Sequence, residues 1–225
     1  MEILNVTGSV LQFLRDKIIT GELKSGQKLN ENALSSRLGI SRPPLREAFR
    51  ILEKDHMVIN IPRKGTYVAE LSVKDFGELS QIREMMDCYA IDLLKASNIR
   101  NLPKVTLALH KALNLSMPIN NGDPERLLNH IRVILDFHTS LVESAGNSRL
   151  TYNYHSIGLN LARYQFIYFD ISGAAQRSLD DHTRTLELIR NGDYDQAMEE
   201  LRKHIYYTVE LVKNRILYPA ISRAG

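Results

Sequence analysis

Residues 30–68, NENALSSRLGISRPPLREAFRILEKDHMVINIPRKGTYV, leave the chain few ways to fold. Leu34 and Leu38 stand four apart and share one face of a short first helix. Gly39 suits the left-handed residue that ends such a helix, and Ile40 is expected to be buried behind it and to pin the turn. Ser41 falls at the N-cap of a second helix, with Pro43 and Pro44 in the first turn, where missing N–H groups cost little. Arg42 precedes a proline, which favours a start one residue later. Leu45, Phe49 and Leu52 form an apolar stripe at i, i+4, i+7, and Arg42, Arg46 and Arg50 follow one another at four-residue spacing on a neighbouring face. Two β-type runs follow, Met57–Ile61 and Thr66–Glu70, joined by Pro62-Arg63-Lys64-Gly65. Any one of these pieces is more often a solvated surface than a reading element. Helix, turn, arginine-bearing helix and basic β-turn in that order describe a winged helix-turn-helix that enters a DNA major groove. Arg42 and Arg46 are expected at base edges, Arg50 at a phosphate, and Arg63, Lys64 and Gly65 in the wing.

Upstream, Val10, Leu11, Leu14 and Ile18 keep helical spacing over residues 8–20, and Gly21 is the stop. The run LGISRPPLREAFRILEKDHMV resembles the central signature of the GntR family of bacterial transcription regulators. Asn30-Glu31, Arg46-Glu47-Ala48 and Arg63-x-Gly65 fit the same pattern, as do Ile18, Gly21, Leu23, Gly26 and Leu29 before them. His56 stands where such proteins usually carry glycine; histidine is among the residues that tolerate positive φ, so the turn is expected to survive.

Composition is ordinary for a globular chain of 225 residues, with 44% hydrophobic and 24% charged residues. The net charge of +3 is unevenly placed: residues 1–71 hold 11 Lys/Arg against 8 Asp/Glu, and the remainder holds 18 of each. The excess lies in the part expected to meet DNA. A single cysteine, Cys88, excludes an intramolecular disulfide and is read as core. With Glu2 and Asn5 interrupting the N-terminus and no long apolar run, the expected location is the cytoplasm, with no membrane partner.

After Glu70 the pattern is helical throughout. Ser72 with Asp75 resembles a capping box opening a helix to about residue 97, with Leu79, Ile82, Met86, Tyr89, Leu93 and Leu94 as its apolar face. Further helices are expected near 101–116, 124–145, 147–170, 173–190 and 194–217. They are separated by Pro118 with Asn120-Asn121-Gly122, Gly146-Asn147, Ser172-Gly173 and Asn191-Gly192, and Asp193 with Gln196 is a second capping pair. The fold class is therefore mainly α: a winged helix-turn-helix of three helices plus a small β-hairpin over residues 1–71, then an all-α bundle over 72–225.

The second half resembles the all-helical C-terminal domain of the FadR subfamily within GntR, through Arg83 in LSQIREMMD, DFHTSLVESAGNSRL at 136–150 and DDHTRTLELIRNGDYDQAMEELRKHI at 180–205. That resemblance implies effector binding, dimerisation and often a divalent metal held by three histidines and an aspartate. His138, His182 and His204 match the histidine positions and suit Zn or Ni. Ile134 replaces the aspartate expected one turn before His138, and Asp136 points to another side, so the metal reading rests on three imidazoles. Arg83 is the candidate fork for a small organic acid effector; its other reading is an internal salt bridge with a carboxylate such as Glu84. The aromatic cluster Tyr152, Tyr154, Tyr164, Phe166, Tyr168 and Phe169 is a candidate pocket lining, with most of it read as core and a few tyrosine hydroxyls reaching polar partners.

The expected function is a homodimeric, effector-responsive regulator, most simply a repressor, on an inverted-repeat operator, since one reading helix buries too little surface for specific binding. Two alternatives stay open: an effector-free dimeric regulator, and a metalloenzyme tethered to DNA. The sequence has no H-E-x-x-H and no evident general base beside the histidines, which weighs against the enzyme.

Overall fold

The computed structural model describes residues 2–115, 123–169, 171 and 173–218; the breaks expected at Pro118 with Asn120–Gly122 and at Ser172 lie outside them. The chain divides into two compact units, Met1–Leu71 and Ser72–Gly225.

In the first unit α1 (Glu2–Ile19) buries Val10, Leu14 and Ile18. It starts well before residue 8, because a glycine inside a helix costs only about 1 kcal/mol relative to alanine and Gly8 does not end it. Asn30 caps α2 (Glu31–Leu38), its side chain accepting from the amides of Asn32 and Ala33, and Gly39 closes it at φ 64. Ile40 is only half-buried, so the turn is held less by burial than expected. Its amide bonds the Ser35 carbonyl across the glycine, at 3.1 Å.

Helix α3 (Arg42–Lys54) begins at Arg42 itself, and Ser41 stands at its N-cap without a side-chain hydrogen bond. A capping hydroxyl accepts from the second and third helical amides, and here both are prolines with no N–H to give. Leu45, Phe49 and Leu52 are buried as the stripe requires. His56 takes φ 55 in the turn that follows.

The wing differs from a simple hairpin. Strands β2 (Val58–Ile61) and β3 (Gly65–Val68) pair antiparallel from Val58↔Val68 to Ile61↔Gly65. A third strand, β1 (Lys28–Leu29), adds to the far side of β3, giving the order β1-β3-β2. Two residues are too short for alternation to show in sequence. At the tip Arg63 (φ 64) and Gly65 (φ 106) both sit at positive φ, which tightens the turn and leaves Arg63 and Lys64 exposed.

The second unit is helical: α4 (Val73–Ala96), α5 (Pro103–Leu113), α6 (Pro124–Ser144), α7 (Ser148–Phe169), α8 (Ala174–Asn191) and α9 (Tyr194–Leu217). Ser72 Oγ accepts the Asp75 amide at 3.0 Å, the first half of a capping box. The return half is replaced by Tyr164 of α7. The Ser72 amide donates to its hydroxyl, and the hydroxyl donates to Asp75 Oδ2 at 2.6 Å, while its ring stacks on Phe76 at 4.5 Å. Asp193 precedes α9 without a capping bond, and its ψ of 55° is not the extended value a working cap uses.

Helix α4 corrects one expectation. Met86 and Leu94 are buried, but Ile82 and Tyr89 face outward, and with Met85 they form an exposed apolar stripe at i, i+3, i+7. Among the described residues no helix is long and apolar enough to cross a membrane.

Candidate functional site

On the first unit, α3 buries one side and presents Arg42, Arg46 and Arg50 on another, all exposed. Arg46 is not loose: its Nε donates to Glu31 Oε2 at 2.9 Å, leaving both terminal nitrogens of the fork free. Arg50 pairs with Glu47 at 3.4 Å. Arg46 and Arg50 line a groove together with Glu31, Glu53, Phe49 and the strand residues Asn60 and Thr66, so two of the three arginines border the sheet of the wing. Glu31 had no assigned role in the sequence reading; its place at the first turn of α2 was the available signal.

Inside the second unit, His138 (α6), His182 (α8) and His204 (α9) converge from three helices, each almost fully buried, with their ligand nitrogens all within 4.8 Å of one another. The imidazoles are oriented from behind. Asp87 Oδ2 lies 3.0 Å from His138 Nδ1 and Asp181 Oδ2 lies 3.1 Å from His204 Nδ1. An ionised carboxylate only accepts, so with Asp87 and Asp181 ionised both Nδ1 atoms carry the proton and both Nε2 atoms offer a lone pair. His182 Nε2 lies 2.9 Å from His138 Nε2. Burial holds all three imidazoles below the usual histidine range; for His138 the Arg83 charge adds to the effect.

Arg83 comes from α4 and is buried, with Nε 3.5 Å from Asp87 Oδ2 and one terminal nitrogen against His138 Nε2. Its internal partner is therefore Asp87, one turn along the same helix, while Glu84 pairs with Arg202 at 3.3 Å. Burial pushes the Asp87 carboxyl up to about 7, against the lowering pull of Arg83. Tyr154 of α7 completes the cluster; burial first and the Asp87 charge second push its phenol well above its ordinary value. Ile134 is buried where an aspartate would have stood, and Asp136 belongs to no metal-ligating group among the described residues. Cys88 lies on the buried side of α4. Burial raises its thiol to about 11, which leaves it unreactive at neutral pH. Asp87 and Asp181 have no role in the sequence pattern, and Tyr154 stands there only as a member of the aromatic cluster. The readable hints were an Arg–Asp pair at i, i+4 and an aspartate adjoining His182.

The donor set fits an imidazole-preferring divalent ion such as Zn or Ni. His138, His182 and His204 would hold it, Asp87 and Asp181 would orient two of the three, and among the described residues no carboxylate joins the three imidazoles. Such an ion would serve as an anchor and polarising centre for a bound anion.

A winged helix-turn-helix joined to an all-helical domain is the architecture of a transcription regulator. The signature of bacterial regulatory proteins of the gntR family matches residues 7–68 and that of the FCD domain matches residues 78–207. The chain belongs to the GntR family of DNA-binding transcriptional regulators, in its FadR-type, FCD-containing branch, and it is a regulator rather than an enzyme. It is similar to the HTH-type transcriptional regulator YdhC of Bacillus subtilis (strain 168), 26% identical over 91% of each chain. It is also similar to the gluconate operon transcriptional repressor of Bacillus licheniformis, 27% identical over 85% of this chain and 78% of that one. Among solved structures, E. coli McbR/YncC shares the fold, with a TM-score of 0.72 at 20% identity over 94% of this chain and 98% of the other.

Proposed function

We propose that the protein is a homodimeric repressor of the cytoplasm that binds an inverted-repeat operator through residues 1–71 and releases it when a small organic acid binds within residues 72–225. One observation carries the sensing half. Arg83 Nε, Asp87 Oδ1, the Tyr154 hydroxyl and His182 Nδ1 are all buried without a hydrogen bond of good geometry, and all belong to one cluster in which Asp87 is the neighbour of both Arg83 and Tyr154. Buried polar groups are otherwise satisfied in native proteins, so four in one place favour a ligand. Arg83 would fork onto the acid's carboxylate, with a divalent metal on His138, His182 and His204 as the companion anchor. Arg42 and Arg46 would read bases, Arg50 would hold a phosphate, and Arg63, Lys64 and Gly65 would seat the wing. The repressing sense follows relatives whose names say repressor.

The exposed stripe Ile82, Met85 and Tyr89 supports a second copy of the chain as its cover. Met85→Glu is expected to weaken the dimer by ~30-fold or more, the scale of a central interface residue. Sedimentation of wild type and variant reads this directly, and an unchanged dimer moves the interface elsewhere. For the whole reading, duplexes selected by the wild-type protein from a random pool should carry two inverted half-sites bound by one dimer. A pool without enrichment would refute operator binding. In a thermal-shift panel of small carboxylates, an acid that stabilises wild type and Arg83→Met equally is not held by Arg83.

A further inference from the structure

We propose that Arg83 is a built-in competitor of the metal: its guanidinium and a divalent cation exclude each other at His138 Nε2, so the histidine site alternates between an arginine-filled and a metal-filled form. This rests on reading the three histidines as a metal site.

His138 has one nitrogen to offer. Its Nδ1 is committed to Asp87 at 3.0 Å, which leaves Nε2 as the only lone pair, and a terminal nitrogen of Arg83 lies against that atom. Any ion ligated by His138 must therefore take the place of an N–H donor. Electrostatics points the same way. Arg83 and Asp87 are 2% and 0% exposed, so they form a pair whose charges cancel inside the unit. A divalent cation added beside an unmoved guanidinium would put two cations of like sign in contact within a medium of low polarity, where their repulsion is poorly screened. The anion that could offset them one turn before His138 is missing, because that position holds buried Ile134. Asp87 and Asp181 lie behind their histidines, on the Nδ1 sides, and cannot come between the two cations without giving up those bonds. His182 Nε2 lies 2.9 Å from the same atom, so an ion would have to enter among all three groups. The arginine-filled form is thus internally satisfied at His138, and metal entry requires Arg83 to withdraw.

The test uses the full-length protein stripped of metal, with Zn²⁺ affinity read by competition with a chromophoric chelator at fixed pH. Arg83→Met, which keeps the length of the side chain and removes its charge, is expected to bind one Zn²⁺ per chain at least tenfold more tightly than wild type. Adding His138→Ala to that variant should abolish the gain. Equal or weaker binding by Arg83→Met overturns the proposal while leaving the histidine site standing. Absence of binding by both proteins overturns the proposal and the metal reading together. Arg83→Met with Asp87→Asn provides a charge-neutral version should the single variant fold poorly. In wild type, saturation with Zn²⁺ must shift the Arg83 side-chain ¹⁵N resonance. Full occupancy with that resonance unmoved also overturns exclusion. None of these readouts involves DNA, so loss of operator binding would sink the proposed function without touching them.

Discussion

At pH 8, Asp87→Ala is expected to lower the unfolding free energy of the metal-stripped protein by about 3–5 kcal/mol, because it leaves a buried guanidinium without its counter-ion. The pH matters: burial pushes this carboxyl up to about 7, and at pH 8 it is mostly ionised and the pair is intact. Asp87 is fully buried, Arg83 is 2% exposed, and their nearest atoms lie 3.5 Å apart. The loss compounds, since His138 Nδ1 gives up its acceptor at the same time. Such an effect is a large share of a domain's total stability, commonly about 5–15 kcal/mol. Urea unfolding of the variants checks it, and the second site gives the mechanism. Arg83→Met removes the orphaned charge, so the double variant should recover more than half of what Asp87→Ala loses. A double variant no more stable than Asp87→Ala would mean that the cost comes from packing around Met86, Val142 and Tyr154, the core against which this part of α4 lies.

That pair also shows what could be read before any coordinates. The helices of the second unit follow apolar periodicity, and their ends fall at glycine, asparagine and proline signals, so their order was legible. The convergence of His138, His182 and His204 was implied only by resemblance, since residues 22 to 66 apart cannot be placed together by spacing. Asp87 was invisible because an aspartate on a helix is by default a surface residue, and only the tertiary position of Arg83 makes it a buried counter-ion. Ile82 and Tyr89 misled in the opposite direction: helical periodicity marks an apolar face without saying whether the same chain covers it. At Ser41 the residue type was right for a cap, and the two prolines that suit a first turn removed the amides it would have accepted from. Tyr164 entering the Ser72–Asp75 box is a contact across 89 residues, beyond any local rule.

The reading head offers the other large effect. Arg46→Ala is expected to cost about 1–3 kcal/mol per half-site and to relax discrimination at one base pair of each, whereas Lys64→Ala should weaken all sequences alike and reduce the salt slope by about one. The difference follows from how the two cations are held. Glu31 Oε2 accepts from Arg46 Nε, and on the proposed reading the two terminal nitrogens are the fork for guanine O6 and N7. The Arg46 side chain is 59% exposed, so this ion pair contributes little to folding, and its value lies in limiting where the fork can point. Lys64 sits at the tip of the wing with Arg63 and Gly65 at positive φ beside it, a place from which an ammonium meets phosphate charge rather than a base edge. Titrating the selected duplex and single-base variants of it at two salt concentrations separates the two behaviours. If Arg46→Ala lowers affinity for every duplex by one common factor, Arg46 is a phosphate contact, and the base-reading face must be assigned to Arg42 and the wing.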